Sequence, residues 1–315
     1  GDRLAYTVDA AVKDGNGLFL VDLDEGRLIT LDNGARVYSR LTWNEAGTGL
    51  AVLKGVDVEK MRERENVLLV FPDVQRAGGS GVLPKPVTLD ASKAAGLPSG
   101  WVVSDRAPVT WSDDGARVYF GMKAQVAAPA AAGRRNADEV ADVDVWSTLD
   151  ERIQSMQMVR ADADRNFTFR EGFVVASGTF VKLADETMRE LDLAPKGNWA
   201  VGRDTRGYIH DFKRAAADIY RVDTSTGART LMLKNQLVGS HTFGISPDGK
   251  HFLYWKDARF QAYDLDAGVA RPLGGPGAPA FTDMEFDHPG PKPSYGVAGY
   301  STDGTAVIVQ QRYDL

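Results

Sequence analysis

The pattern of hydrophobic and polar positions along the chain is clearest between Phe243 and Trp255. Apolar residues lead into the polar sequence Ser246–Gly249, and a second apolar run, Phe252–Trp255, follows it. An Asp-Gly pair between two apolar runs is a strong signal for a β-hairpin with a type I′ turn, because that turn needs positive φ at both central residues. The aromatic residues of the second run suit a half-buried strand. The stretch therefore predicts two antiparallel strands joined by a tight turn.

The same order of strand, polar turn with Gly, and strand recurs along the chain. The four further copies are Leu41–Leu53, Val109–Phe120, Leu191–Val201 and Gly299–Val309. A partial sixth copy stands at the start, where Gly1 and Asp2 precede the apolar stretch Leu4–Val8. Self-similarity of this kind indicates a repeat architecture in which each unit packs on its neighbours.

Several copies are followed by a second hairpin with a different sequence. Three examples are Leu18–Gly26, Asp218–Gly227 and Gln261–Gly268. Each is an alternating strand that ends in an acidic or hydroxyl-rich turn containing Gly. Two linked hairpins give four strands, and units of about 45 to 80 residues with four strands are typical of a β-propeller. We therefore expect an all-β fold, a β-propeller with about five four-stranded blades in this chain.

Three stretches interrupt this pattern and predict insertions in one propeller segment that spans residues 1–315. Residues 56–66 are highly charged and predict a solvated loop or a short helix. Residues 77–100 are rich in Gly, Pro, Ala and Ser, which predicts a long connection. Residues 125–165 begin rich in Ala and Pro and then become acidic. Within them, Leu149–Ala163 contains strong helix formers and predicts a short helix, although Met156 and Met158 suit a strand equally well.

The two ends of the chain occupy the same position in the repeat. Gly1 and Asp2 correspond to the turn residues Asp303 and Gly304, and the chain stops soon after a strand of the same type. A propeller closes on itself to remove the free edges of its sheets. The match predicts either a ring of few blades or, as we favour, a larger ring completed by polypeptide beyond Leu315.

Composition limits the chemistry open to this chain. Its 43% hydrophobic and 25% charged residues are typical of a globular protein, and its net charge of −6 argues against general nucleic-acid binding. No apolar run approaches the roughly 20 residues of a membrane-spanning helix, so we expect no membrane partner. The absence of cysteine excludes disulfides, thiolate nucleophiles and cysteine-ligated metals. The first residue is Gly1 and no signal-peptide pattern follows it, which suggests a processed segment.

Two sets of motifs resemble known propeller proteins. Ser246–Lys250 (S-P-D-G-K) and Asp264–Gly268 (D-L-D-A-G) resemble the repeats of TolB-like and dipeptidyl-peptidase propellers. Asp142–Gln157, together with Arg206–Asp211, resembles the N-terminal propeller region of large bacterial serine peptidases of the prolyl oligopeptidase family. In that family the propeller filters substrates, and a C-terminal α/β-hydrolase domain carries the Ser-Asp-His triad. The resemblance spans most of the chain and implies a substrate-gating propeller.

The sequence departs from that family in its catalytic machinery. A nucleophile elbow needs G-x-S-x-G, so that the Ser can sit on a strained turn between a strand and a helix. The nearest strings, Gly244–Asp248 and Gly299–Asp303, both end in Asp and are better explained as hairpin turns. No alternating β-α pattern of a hydrolase sheet follows them. We therefore assign no catalytic residue and no cofactor to this chain.

One acidic group is a candidate for substrate recognition. It consists of Asp138, Glu139, Asp142 and Asp144. These side chains could face a cationic ligand or the amine of a peptide substrate. Like charges this close together usually lie in solvent, which is the alternative interpretation.

A second group is a candidate for metal binding. Asp162, Asp164 and Asn166 place three oxygen ligands on alternate residues, as in the first half of a calcium loop. The remainder of the motif is missing, because Phe167 and Phe173 stand where the loop needs Gly and Glu. A surface turn explains this stretch better than a calcium site.

Histidines and tryptophans are better explained by structure than by function. The histidines are His210, His241, His251 and His288, and none has the H-E-x-x-H or paired spacing that holds a metal. Four tryptophans recur next to the hairpin turns, and we expect them to pack between blades rather than to bind a sugar. They are Trp43, Trp111, Trp199 and Trp255.

The sequence thus predicts the substrate-gating propeller of a prolyl oligopeptidase-family serine peptidase, in the periplasm or secreted. Its peptide substrate would be cleaved by a hydrolase domain outside this chain. The alternative is a stand-alone TolB-like propeller that acts as a protein-binding scaffold. A third and weaker alternative is a lactonase-like propeller enzyme with its own metal site, for which the sequence offers no convincing ligand cluster.

Overall fold

A computed structural model of the chain describes residues 2–10, 12–75, 83–128, 146–147, 150–210, 213–275 and 280–313. These residues contain twenty-two β-strands and one α-helix. The chain divides after Lys182 into two compact units, and residues 150–153 belong with the second. No helix in the described ranges is long and apolar enough to cross a membrane.

The first unit is built of antiparallel strands. They are β1 (Arg3–Val8), β2 (Gly17–Asp22), β3 (Arg27–Asn33), β4 (Val37–Trp43), β5 (Leu50–Val56), β6 (Glu65–Phe71), β7 (Val87–Asp90), β8 (Trp101–Ser104), β9 (Thr110–Trp111), β10 (Arg117–Ala124), β11 (Phe169–Val174) and β12 (Thr179–Val181). Strands β1–β3 form blade 1, β4–β7 form blade 2 and β9–β12 form blade 3. Strand β8 pairs with β10 and, at one residue pair, with β6, so blades 2 and 3 share one nine-stranded sheet.

The second unit continues the same arrangement. Its strands are β13 (Glu190–Leu193), β14 (Trp199–Asp204), β15 (Ala216–Asp223), β16 (Arg229–Leu237), β17 (Thr242–Ile245), β18 (His251–Lys256), β19 (Arg259–Asp264), β20 (Val269–Pro272), β21 (Val297–Tyr300) and β22 (Val307–Val309). Blade 4 (β13–β16) and blade 5 (β17–β20) are four-stranded and follow chain order. Blade 6 contains two strands, β21 and β22, among the described residues.

Blade 5 is packed on both of its faces. Phe252 and Tyr254 of β18 join a cluster with blade 4, whereas Leu253 and Trp255 join a cluster with blade 6. Successive side chains of a strand point to opposite faces of its sheet. The continuous apolar run Phe252–Trp255 is therefore explained by burial on two sides.

Strand β5 of the first unit shows the same division. Leu50 and Val52 pack with blade 1, and Ala51 and Leu53 pack with blade 3. The second strand of a blade is thus the central layer of the packing in both units. The predicted fold class, an all-β chain of four-stranded propeller blades, is confirmed.

The predicted insertions differ from the structure in detail. The helix α1 (Gln154–Asn166) confirms the helix predicted over Leu149–Ala163. It begins five residues later than predicted and ends three residues later. Residues 57–64 form the loop between β5 and β6, as one of the two interpretations had it. The long connection predicted over residues 77–100 instead contains β7, which pairs with β6 as the outer strand of blade 2.

The turn of the Phe243–Trp255 hairpin is of a different type from the one predicted. Of the Asp-Gly pair only Gly249 has positive φ, at 74°, and its amide donates to the Ser246 carbonyl at 2.8 Å. This is a type I turn followed by a left-handed Gly. Two consecutive residues with positive φ, the mark of a type I′ turn, occur one hairpin later at Asp257 (51°) and Ala258 (57°).

Side-chain hydrogen bonds explain that turn type. The Ser246 hydroxyl donates to Asp248 Oδ1 at 2.5 Å and accepts the His251 amide at 2.9 Å. Asp248 Oδ1 also accepts the Lys250 amide at 3.1 Å. The two side chains thereby satisfy backbone donors that the type I turn leaves free. The same bonds recur at Ser112 and Ser301.

Successive turns of the second unit lie directly against each other. A Cβ placed on Gly249 would lie 1.7 Å from the Pro195 carbonyl oxygen of the preceding turn. A Cβ on Gly304 would lie 3.2 Å from Asp248 Cβ. Gly is required at residue 249 both by its positive φ and by this close approach.

Substitution of Gly249 tests that contact. We expect Gly249→Ala to destabilise the chain by about 1–3 kcal/mol more than Gly239→Ala, because overpacking adds to the strain of a left-handed Ala. Gly239 is the matched control, since it has a similar φ of 67° and open space around its Cα. Urea unfolding of the two variants measures the difference. Equal losses of stability would show that the turns do not press on each other.

Candidate functional site

One serine shares a small cavity with a histidine. Ser246, His251 and Tyr300 line a cavity of about 60 Å³ in the second unit. His251 Nε2 lies 4.0 Å from Asp264 Oδ2, so the three residue types of a hydrolytic triad are present in this region.

The hydrogen bonds around Ser246 exclude it as a nucleophile. Its hydroxyl proton is directed to Asp248, and it is the backbone amide of His251, rather than the imidazole, that contacts its oxygen. Burial raises the pKa of Asp248, but the hydrogen bonds from Ser246 and the Lys250 amide outweigh it and hold that pKa below the usual range. The carboxylate therefore stays ionised and accepts the hydrogen bond from the serine hydroxyl. The interpretation of Ser246 as a turn residue agrees with this geometry.

A buried carboxylate in the first unit is the centre of a larger polar site. Glu63 lies in the loop between β5 and β6, and its side chain is 2% exposed. Gln125, just beyond β10, fixes the backbone of this residue on both sides. The Glu63 amide donates to Gln125 Oε1 at 3.0 Å, and Gln125 Nε2 donates to the Glu63 carbonyl at 2.8 Å. The carboxylate is thereby held in one position.

Three cationic side chains surround that carboxylate. Arg106 Nε donates to both oxygens of Glu63, at 2.8 and 3.1 Å. Lys123 Nζ lies 3.3 Å from Oε1, and Arg62 Nε lies 3.7 Å from it. They come from three separate parts of the chain: the loop after β8, the end of β10 and the loop between β5 and β6. We call Glu63, Arg62, Arg106 and Lys123 the Glu63 cluster.

The charges of the cluster keep Glu63 ionised. Burial raises the pKa of this carboxyl, but the hydrogen bond from Arg106 and the charge of Lys123 outweigh burial and lower the pKa below its ordinary value. A buried carboxylate is costly unless it is paired and hydrogen-bonded, and this one is both. Glu63 is therefore ionised at neutral pH.

The same cations hold the C-terminal end of helix α1. Lys123 Nζ donates to the Arg165 carbonyl at 2.6 Å. Arg106 Nη1 and Arg62 Nη2 donate to Asn166 Oδ1 at 2.9 and 3.2 Å. A helix C-terminus carries partial negative charge, so cations there are favourable. Because α1 buries none of its own residues, these contacts are a main attachment of the helix to the blades.

The predicted calcium ligands lie on this helix. Asp162 pairs with Arg165 at 3.2 Å, and Asp164 pairs with Arg160 at 4.0 Å. Asn166 serves as the acceptor for two arginines of the Glu63 cluster, and the stretch is helical rather than the surface turn expected. Nowhere in the described ranges do three or more His, Cys, Asp or Glu side chains gather as for a metal. The calcium site stays a prediction that this arrangement does not favour.

The predicted recognition residues Asp138, Glu139, Asp142 and Asp144 lie outside the described residues. Of the histidines, His241 is buried beside Ser240, and burial followed by the charge of Arg214 lowers its pKa. His288 is exposed next to Asp287. The two histidines therefore occupy unlike surroundings.

The four tryptophans pack within and between blades, as predicted. Trp255 is buried in the cluster shared by blades 5 and 6. Trp43, Trp111 and Trp199 pack at the margins of the other apolar clusters. Trp199 also donates to Asp266 at 2.7 Å and stacks on the guanidinium of Arg221 at 4.3 Å.

Sequence reasoning did not find the Glu63 cluster. Glu63 stands in a run of alternating charges that is typical of a solvated loop, and its partners are distant in sequence. The sequence offers two signals at most. Lys123 and Gln125 stand at the end of the strongly apolar strand β10, and Arg106 stands two residues after strand β8. Neither identifies a partner without the fold.

Comparisons with known proteins find solved structures that resemble this chain, but no related sequence. No protein family and no curated protein matches the sequence. TolB from Acinetobacter baumannii is 13% identical, with a TM-score of 0.31 over 87% of this chain and 53% of TolB. The β-propeller domain of the Trilobed protease from Pyrococcus furiosus is 12% identical, with a TM-score of 0.34 over 88% of this chain and 67% of that domain. A prolyl endopeptidase structure is 15% identical, with a TM-score of 0.37 over 88% of this chain and 33% of the enzyme.

The chain thus spans about half the length of TolB and about a third of the endopeptidase. At these identities and TM-scores the similarities say nothing about its activity. The assignment of blades rests on the sheets and apolar clusters of the chain itself.

Neutralising the central carboxylate tests the Glu63 cluster. We expect Glu63→Gln to destabilise the chain by about 3 kcal/mol at pH 7, because three cations lose their buried partner. Glu59→Gln in the same loop is the matched control, since the Glu59 side chain is 88% exposed. Urea unfolding at a series of pH values measures both variants.

The pH dependence has a definite sign. The folded-state pKa of Glu63 lies below its unfolded value, so its contribution is fully present above about pH 4.3 and is lost as the pH falls through the folded pKa. The difference between the native chain and Glu63→Gln should therefore be constant from pH 8 to about pH 5 and shrink in more acidic solution. A neutral effect of Glu63→Gln at pH 7 would contradict the electrostatic role of the cluster.

Proposed function

We propose that this chain is the substrate-gating and substrate-binding propeller of a serine peptidase of the prolyl oligopeptidase family. The catalytic α/β-hydrolase domain lies outside this chain in that proposal. The blades limit access to the neighbouring active site, so that short peptides enter and folded proteins do not. Peptide hydrolysis then uses a Ser activated by His, on residues of the hydrolase domain. The proposed location is the periplasm or the extracellular space.

One observation supports the assignment of gating to this chain and of catalysis to another domain. Ser246 shares a cavity with a histidine, yet it is 3% exposed and its hydroxyl donates to Asp248. A nucleophile needs an accessible hydroxyl and a base in contact with it. The described residues therefore supply packed blades and a charged site, and the chemistry is assigned to another domain.

The family resemblance of the sequence supports the peptidase over other enzymes. The motifs Asp142–Gln157 and Arg206–Asp211 carry that resemblance. The Glu63 cluster supports a binding role, because polar groups at the loops of a rigid scaffold are where propellers bind ligands.

A second candidate function is a protein-binding scaffold of the TolB-like type. One feature favours it: helix α1 exposes Met158 and Val159, of which Val159 is 80% exposed. Exposed apolar side chains on a helix that buries nothing are typical of a surface that contacts another protein. The scaffold needs no hydrolase domain, and this difference separates the two functions.

The proposal makes a prediction about activity. The purified 315-residue chain should not cleave a proline-containing peptide, whereas the natural polypeptide with its hydrolase domain should cleave it in a reaction blocked by a serine-directed inhibitor. A fluorogenic proline peptide measures both. Inhibitor-sensitive cleavage by the 315-residue chain itself would contradict the division of labour.

The gene provides the control for that experiment. A G-x-S-x-G string between a strand and a helix, encoded beyond Leu315, agrees with the peptidase. A stop codon directly after Leu315 would contradict it in favour of the scaffold.

A further inference from the structure

Two arginines of the Glu63 cluster lie side by side. Arg62 and Arg106 donate to the same atom, Asn166 Oδ1, at 3.2 and 2.9 Å. Two like charges this close repel each other, and an anion between them offsets that repulsion. Among the described residues, Glu63 is the carboxylate that both arginines contact.

That carboxylate does not balance the charges around it. Glu63 faces Arg62, Arg106 and Lys123, so one negative charge meets three positive charges and two positive charges remain in excess. Asn166, the other side chain that the two arginines contact, is a neutral acceptor. Within the described ranges no further carboxylate forms an ion pair with the three cations.

A neighbouring arginine, Arg64, has the opposite kind of surroundings. Arg64 pairs with two carboxylates, Asp57 and Asp105, each at 2.9 Å. Negative charge is thus in excess at Arg64, whereas positive charge is in excess at the Glu63 cluster. This contrast between adjacent arginines distinguishes a site for a ligand from a generally basic surface.

The two arginines of the cluster are partly exposed to solvent. The side chains of Arg62 and Arg106 are 26% and 33% exposed, whereas Glu63 and Lys123 are buried beneath them. Among the described residues, Arg62 Nη1 and Arg106 Nη2 have no hydrogen-bond partner. Two adjacent guanidinium groups with free donors match the two oxygens of a carboxylate.

We propose that Arg62 and Arg106 form a binding site for a carboxylate group of a ligand. The buried pair of Glu63 and Lys123 fixes the two guanidinium groups from below, and the ligand carboxylate neutralises part of the excess charge. That the ligand is a peptide rests on the proposed function; its carboxylate is then an acidic side chain or a free C-terminus. The site thus assigns a preference for acidic peptides to the gating propeller.

Titration calorimetry of the 315-residue chain tests this proposal. The probe is the tripeptide Gly-Pro-Glu, and the comparison is the uncharged analogue Gly-Pro-Gln amide. We expect saturable binding of Gly-Pro-Glu, at least about tenfold weaker binding of the analogue, and at least about tenfold weaker binding of Gly-Pro-Glu to Arg62→Gln. Arg106 still donates to Asn166 in this variant and keeps one side-chain contact with helix α1, and the urea midpoint checks that the chain stays folded.

A matched control removes a positive charge elsewhere. Arg259→Gln, at an exposed position in the second unit, should bind Gly-Pro-Glu as the native chain does. Equal binding of the two peptides, or equal weakening by the two substitutions, would overturn the site. Binding of inorganic phosphate but not of Gly-Pro-Glu, with loss in Arg62→Gln, would overturn the carboxylate assignment.

The outcome is separable from the proposed function. Loss of Gly-Pro-Glu binding in Arg62→Gln supports the site even where the natural polypeptide shows no peptidase activity, and in that case it is the peptidase proposal that fails. Peptidase activity in the natural polypeptide without binding of Gly-Pro-Glu to this chain overturns the site alone.

Discussion

Burial of both faces of each central strand is the constraint on which the rest of this structure depends. A strand such as β18 directs Phe252 and Tyr254 to one side and Leu253 and Trp255 to the other, and each side is covered by a different blade. No single blade can bury both sets of side chains by itself. Blades 2 and 5 are therefore each stabilised by two neighbours within their own unit, whereas the residues of the outer strand β20 are all exposed.

The hairpin turns limit how closely neighbouring blades of the second unit can approach each other. Since the turn at Gly249 presses on Pro195 and the turn at Gly304 lies on Asp248, neighbouring blades can approach no closer and rotate little. The serine and aspartate side chains satisfy the backbone donors of these turns from within. A turn that needs no partner for its polar groups can lie flat against the next one.

Local features of this structure could be read from the sequence, and assembled features could not. Each hairpin is encoded within about a dozen residues by an apolar run, a Gly turn and another apolar run, so hairpins, blades and helix α1 were predicted. Strand β7 was missed because Pro84 and Pro86 precede a strand of only four residues, which hid it in a stretch that reads as a loop. The prediction of a type I′ turn was wrong because it was based on the Asp-Gly pair alone. The Ser246 hydroxyl, which that pair does not include, stabilises a type I turn through its hydrogen bonds.

The Glu63 cluster belongs to the assembled features. Its members lie on loops and strand ends of two blades, and no local spacing joins Glu63 to Arg106 or Lys123. The pairing of β8 with both β6 and β10, together with the bridge between Met61 and Ala127, brings these segments together. The burial that makes Glu63 a special carboxylate is likewise invisible in a run of charged residues.

The connection between the second and third strands of a blade varies greatly in length. In blade 5 it consists of Asp257 and Ala258, whereas in blade 3 it extends over residues 125–168 and includes helix α1. The stacked turns at the opposite end of these blades are uniformly short. New segments can thus be added at one end while the other sets the geometry. Evolution, or a protein engineer, can exchange the loops there without changing the strands and turns that carry them.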